Sequence, residues 1–416
     1  MKFLFVIVLL LAISILGSRL TFLNRRVSLG FRNIILTGTE YILIGVLLGG
    51  MGLNILDGEA LKKLEPFLIF GLCWIGFLFG LQFEVRKIKN LPGAYFSIAA
   101  IQSFTSFAVV SAAMILIFKQ FMALSDNVIL IIALTLGSSA SCTAQSALAI
   151  VNKNYRFQNR RLLDLMRYIS SVDGIYALVF FALALCIFPR ADISSFNLFG
   201  SMKWLFVSVI MGVIPALILI SLNRLRFSSQ EFILFLIGTA TLCGGLAYQL
   251  HYSPLISGFV CGVITANCCR HRLRALSIVM GAEKSLYIIL LILLGASWHL
   301  RVDITLVITG VYFMARIFGK LIGGFMGTKL FKHDYHVPPT IGLGLISEGG
   351  LAVAIIINFQ LLHPSIADPL ITIIVLSVFI NEFFSPWFIL ARFDKKDREA
   401  VNTIERQHLK GSSQKR

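Results

Sequence analysis

The chain has 416 residues, of which 57% are hydrophobic and only 14% charged, with a mean hydropathy of +0.86. No water-soluble fold of this length hides that much apolar surface, and the short alternating segments of a membrane β-barrel are missing, so the composition points to a polytopic helical membrane protein. A net charge of +17 would raise nucleic acid as a partner in a soluble protein, but here the basic residues sit in short loops at alternate ends of apolar segments, which excludes that reading.

Thirteen apolar spans are expected, near 3–17, 34–53, 65–83, 92–118, 127–151, 165–188, 197–222, 230–250, 252–267, 281–298, 304–328, 338–362 and 368–391. The first resembles a signal peptide. No small-x-small cleavage site follows it, and Arg19, Arg25 and Arg26 come next, so an uncleaved helix is expected. Placing the N-terminus outside puts Arg86, Lys87, Lys89, Lys153, Arg156, Arg160, Arg161 and most other loop cations in the cytoplasm. The opposite loops hold only Lys62, Lys63, Lys119, Arg190 and Arg301. The bias predicts a cell (inner) membrane protein with the N-terminus outside and the C-terminus cytoplasmic.

An odd number of spans fits two six-helix units around a linker helix, which gives the units opposite orientation and makes inverted repeats possible. The expected division is a transmembrane domain over 1–394, with repeat one at about 1–190, the linker at about 197–222 and repeat two at about 230–391. A short charged tail, 395–416, follows, without strand pattern or nucleotide-binding glycine motif. The fifth span is interrupted at Gly137-Ser138-Ser139-Ala140-Ser141-Cys142-Thr143, and the twelfth at Gly342-Leu343-Gly344-Leu345-Ile346-Ser347-Glu348-Gly349-Gly350. Each lies in the second-from-last span of its unit. Interruptions at matching places predict two discontinuous crossing helices; close helix packing on small residues is the alternative.

Asp173 is the most informative residue. It lies deep in the sixth span, where a carboxylate costs roughly 2.5–3.5 kcal/mol on insertion scales. Half-helix ends expose carbonyls, hard oxygen ligands suited to Na⁺, K⁺ or Li⁺. Asp173 supplies the charge, and Thr143, Ser170 and Ser171 are candidate hydroxyl ligands. A carboxylate that holds either a cation or a proton, but not both, is enough for exchange. Lys320 lies mid-span in the eleventh span and needs an acid, Asp173 or Glu348, unless it reaches an interface. Arg316, four residues earlier, shares its face. Glu348, at the second interruption, is either a partner for half-helix amides or an ion ligand. Glu40 and Glu382 read as structural, and Glu283 and Lys284 as interfacial at the start of the tenth span.

The seven cysteines contain no CxxC pair and the histidines no ligand spacing, so no metal site is expected. Neither a Ser-His-Asp arrangement nor a pair of catalytic carboxylates is present, and an enzyme is not expected.

In order along the chain, several segments resemble motifs of the monovalent cation:proton antiporter superfamily, the group with the NhaA-type fold. Trp74-Ile75-Gly76-Phe77-Leu78-Phe79-Gly80-Leu81-Gln82-Phe83-Glu84 resembles its Phe-x-x-Gly-Leu-Glu segment. Ser138 to Ala149 resembles its crossing helix, and Val172-Asp173 falls at its Asn-Asp or Asp-Asp pair. Ser253-Pro254-Leu255-Ile256-Ser257-Gly258-Phe259 and Gly319-Lys320-Leu321-Ile322-Gly323 resemble its Leu-Gly-Ala-Phe and Gly-Lys-x-x-Gly segments. The likeness is to a Kef-like membrane domain without the nucleotide-binding domain.

The resemblance implies Na⁺/H⁺ or K⁺/H⁺ exchange, a homodimer, and a mobile six-helix core that moves like an elevator against a scaffold. It implies Asp173 as the carboxylate shared by cation and proton, Lys320 as its counter-charge, inorganic cations and protons as the only small partners, and no cofactor. Two departures stand out: Val172 replaces the Asn or Asp before Asp173, and Thr143-Ala144-Gln145 replaces Thr-Asp-Pro. An organic-anion/Na⁺ symporter, with Lys320 and Arg316 binding a carboxylate, and a channel-like cation pathway are the rival readings.

Overall fold

The computed structural model describes residues 2–19, 28–86, 93–157, 161–187, 198–222, 229–299, 303–330, 338–393 and 398–400. The loop cations at 20–27, 87–92, 158–160, 223–228 and 331–337 and the tail beyond 400, on which much of the expected orientation rests, lie outside the described residues.

Helix follows helix: α1 (Lys2–Arg19), α2 (Leu29–Thr37), α3 (Glu40–Leu48), α4 (Gly58–Gln82), α5 (Gly93–Phe121), α6 (Asp126–Ser141) and α7 (Ser146–Asn154). Then come α8 (Arg161–Ile187), α9 (Leu198–Leu222), α10 (Ser229–Gln249), α11 (Pro254–Cys268), α12 (Arg272–Ser297) and α13 (Ile304–Leu330). A 3₁₀ turn (Ile341–Leu345), α14 (Gly350–Leu362) and α15 (Asp368–Leu390) complete the bundle. Local chemistry marks several ends. Asp57 caps α4 by accepting from the Ala60 amide at 2.9 Å. Ser253 caps α11 through Ile256, with Pro254 in the first turn. Gly38, at φ 78°, takes the left-handed conformation that lets α2 and α3 meet at a 60° bend.

Nine helical segments among the described residues, counting α6 and α7 as one, are long and apolar enough to cross a membrane, and the bent pair α2–α3 is a tenth. The expectation of thirteen exceeds this by the short apolar helices 4–18, 254–268 and 350–362. At about 1.5 Å per residue, a helix of α14's length falls short of a hydrocarbon core about 30 Å thick. The tail also departs from expectation. Arg398–Ala400 pairs antiparallel with Tyr155–Phe157, Tyr155 facing Ala400.

Glycines set the closest helix contacts. On α4 Gly76 and Gly80, and on α11 Gly258 and Gly262, each face the backbone of the opposite helix so tightly that a Cβ would overlap it. Small residues four apart let the backbones touch, which is the packing expected where lipid gives no hydrophobic drive. Gly319 and Gly323 bring α13 against Ser106 and Gln102 of α5 in the same way. Gly342 lets the 3₁₀ turn rest on the Lys320 carbonyl. That contact anchors the second break beside Lys320.

Candidate ion-binding site

Both expected interruptions contain a break, but a shorter one than the sequence suggests: residues 137–141 stay helical and 341–345 form the 3₁₀ turn. The first leaves residues 142–145 out of helix between α6 and α7, and the second leaves 346–349 between the 3₁₀ turn and α14. The two stretches cross, and the Ala144 amide donates to the Ser347 carbonyl at 3.0 Å. Inside a membrane the freed carbonyls must find donors. α13 supplies them from one buried face. The Lys320 ammonium donates to the Ser141 carbonyl at 2.7 Å and to Thr143 Oγ1 at 2.9 Å. The Arg316 guanidinium donates to the Cys142 carbonyl at 2.9 Å, to the Ser347 carbonyl at 3.2 Å, and to the Ile346 carbonyl. Thr143 donates to the Leu345 carbonyl at 3.1 Å. The expectation that half-helix carbonyls stand open as cation ligands is therefore corrected: several of them are held by Arg316 and Lys320.

Asp173 comes from the middle of α8 and is fully buried. Of the two acids considered for Lys320, Asp173 is the one it meets, at 3.6 Å. Among the described residues neither carboxylate oxygen accepts a hydrogen bond of ordinary geometry. In a native interior such atoms call for an explanation, among which are a functional role and a bound water or ion. Ser170 lines a cavity of about 390 Å³ that also touches Cys142, Thr143, Gly174 and Gly349. Its hydroxyl donates to the Arg167 carbonyl at 3.0 Å. Ser171 donates to the Tyr168 carbonyl at 2.7 Å and is not among the residues lining that cavity.

Glu348 pairs instead with Arg316, at 3.8 Å, and accepts from Tyr312, Ser377 and Asn381, each at 2.7 Å. The geometry places it as the counter-ion of Arg316, away from Lys320. One neighbouring acid–base pair departs from its sequence reading. Glu283 and Lys284 sit well inside α12 and line the cavity, because α12 begins at Arg272, earlier than the span read from apolarity. Glu382 is fully buried. It accepts from Ser347 at 2.7 Å, from Ser146 at 3.3 Å and from Asn33. The sequence reads it as structural, and these contacts leave that reading open. The available signal was an Asn381-Glu382 pair inside an apolar run.

The arrangement gathers two cations and three carboxylates around two crossed helix breaks beside a cavity. The profile of the family described as "Sodium/hydrogen exchanger, transmembrane" matches residues 37–390. Among solved structures, the sodium proton antiporter MjNhaP1 from Methanocaldococcus jannaschii at pH 8 is similar, with a TM-score of 0.63 and 15% identity over 94% of this chain and 99% of that one. An electron-microscopy structure of MjNhaP1 aligns with a TM-score of 0.58 and 14% identity, covering 84% and 90%. At such identities the likeness speaks for the fold alone. No curated relative matches the sequence. The family profile spans most of the chain, and the protein belongs to the sodium/hydrogen exchanger family of membrane cation:proton antiporters.

Proposed function

We propose that the protein exchanges one kind of monovalent cation, Na⁺ or K⁺, for H⁺, with Asp173 as the carboxylate the two share. The observation that carries this reading is the buried Asp173 carboxylate, without an ordinary hydrogen bond among the described residues and 3.6 Å from the Lys320 ammonium; neither residue lines the cavity, whose wall is formed by their neighbours Thr143 and Gly174. Lys320 holds the place of a cation between Asp173, Thr143 and the Ser141 carbonyl. A cation entering from the cavity takes that place as the ammonium withdraws, with Thr143, Ser170 and the freed carbonyl as further oxygen ligands. The two breaks ride together because Ala144 is tied to Ser347. Elevator-like movement of this core relative to a scaffold, in a homodimer, completes the reading.

The symporter alternative finds less support. Arg316 is committed to three backbone carbonyls and to Glu348, which leaves little of its guanidinium for a substrate carboxylate.

The test is purified protein in liposomes with an internal pH dye, pulsed with Na⁺, K⁺ or Li⁺. Exchange through Asp173 gives a cation-triggered pH change that disappears in Asp173→Asn. Folded protein that answers to no cation, or a mutant that answers like wild type, contradicts the reading.

A further inference from the structure

Among the described residues, five acidic or basic side chains around the crossed breaks are fully buried: Asp173, Arg316, Lys320, Glu348 and Glu382. Two of the carboxylates have cations, Asp173 with Lys320 and Glu348 with Arg316. Glu382 has no ion-pair partner among the described residues. Three neutral donors hold it instead, and two of them belong to the breaks themselves: Ser347 in the second, and Ser146 at the start of α7 directly after the first. Ser146 also lines the cavity. Glu382 is thus fixed to the same pair of breaks that Lys320, the partner of Asp173, holds from α13.

We propose that Glu382 sets the charge balance of this core. With all five groups ionised, three carboxylates against two cations leave one negative charge when Asp173 is empty. One monovalent cation or one proton at Asp173 brings the sum to zero. A net charge buried away from water is costly, whereas a balanced cluster is tolerated. The core therefore crosses the low-dielectric region when loaded with either ion and is held back when empty. Exchange is then one cation for one proton, moves no net charge, and does not slip. The positive end of the α7 dipole favours a carboxylate at Glu382. Being fixed, that dipole adds equally to the empty and loaded forms and leaves their difference at one charge. Without Glu382 the parity inverts: the empty core is neutral and the loaded core positive.

This inference rests on the antiporter reading, and the experiment separates the two. Proteoliposomes on a solid-supported membrane receive a Na⁺, K⁺ or Li⁺ step while an internal dye reports pH and the electrode reports charge. Wild type is expected to change pH with no sustained current. Glu382→Gln is expected to carry a sustained current with the cation while its pH response falls about tenfold, the effect of roughly 1.4 kcal/mol on a barrier. Glu382→Asp, which keeps the charge, is expected to restore current-free exchange. A sustained wild-type current accompanying the pH change overturns the inference and leaves the antiporter reading standing, and this arm holds even where Glu382→Gln does not fold. A folded Glu382→Gln that exchanges like wild type without current also overturns it. No pH response to any cation in wild type removes both.

Discussion

Asp173 carries the account because it combines burial, an ion-pair partner and unsatisfied oxygens. Thr143 is the adjacent hydroxyl and accepts from Lys320 at 2.9 Å. Replacing it by Val removes an oxygen that holds the ammonium and, on the proposed reading, the cation in its turn. The expected result is a KM for the cation raised about tenfold in the dye assay, a loss of about 1.4 kcal/mol, with the protein still folded. Glu348 has a different burden. In Glu348→Gln the buried Arg316 loses its carboxylate, and breaking such a pair by removing one partner costs about 3–5 kcal/mol. Thermal unfolding in detergent is expected to show a clearly lowered Tm, and an unchanged Tm would remove Glu348 from this role. His363 lies in the loop between α14 and α15, buried against Phe359 with ring centroids 5.1 Å apart. Burial pushes its pKa from 6.5 down to about 4. The folded protein thus favours neutral His363, so its contribution is present above pH 6.5 and lost as pH falls toward 4. His363→Gln is expected to lose less Tm than wild type between those limits.

The crossed breaks and the glycine seams position these side chains. Both breaks were legible from runs of Gly and Ser in matching spans, although the first run, 137–141, is itself helical and the break follows it at 142–145, and Asp173, Lys320 and Arg316 were legible as ionisable groups in apolar context. The partners were not legible, because they come from distant parts of the chain. Lys320 meets Ser141, 179 residues away, and Ser146 meets Glu382, 236 residues away. Residue type alone could not say that Arg316 and Lys320 hold the carbonyls that a bare cation would otherwise find, nor which of two acids each cation takes. The start of α12 was misplaced for a similar reason. Its first turns carry Arg272 and Arg274, which read as loop, yet Arg272 pairs with Glu84 at 2.7 Å and stays helical. The α4–α11 seam carries its own prediction. Gly262→Val places branched carbons against the Phe77 carbonyl, and overpacking of this kind costs typically about 1–3 kcal/mol. A lower Tm with the ion affinity of the remaining folded fraction unchanged is expected. An unaltered Tm would mean that the helices part more easily than the seam implies.

Composition alone was enough to place the fold in the membrane, and the family profile and the MjNhaP1 likeness agree with the all-helical architecture. The number of crossings was less legible: among the described residues nine segments and one bent pair pass by length and composition, and three shorter apolar helices make up the difference from the expected thirteen. The proposed function depends on one competition, cation against proton at Asp173, and that can be measured without a membrane. In lightly buffered detergent solution, at a pH where the protein exchanges, cation is added to purified wild type and to Asp173→Asn while bound cation and released proton are followed together. The account predicts about one proton released per cation bound by wild type, as expected when both claim one charge, and neither binding nor release by the mutant. Cation binding without proton release, or release that survives Asp173→Asn, would contradict it.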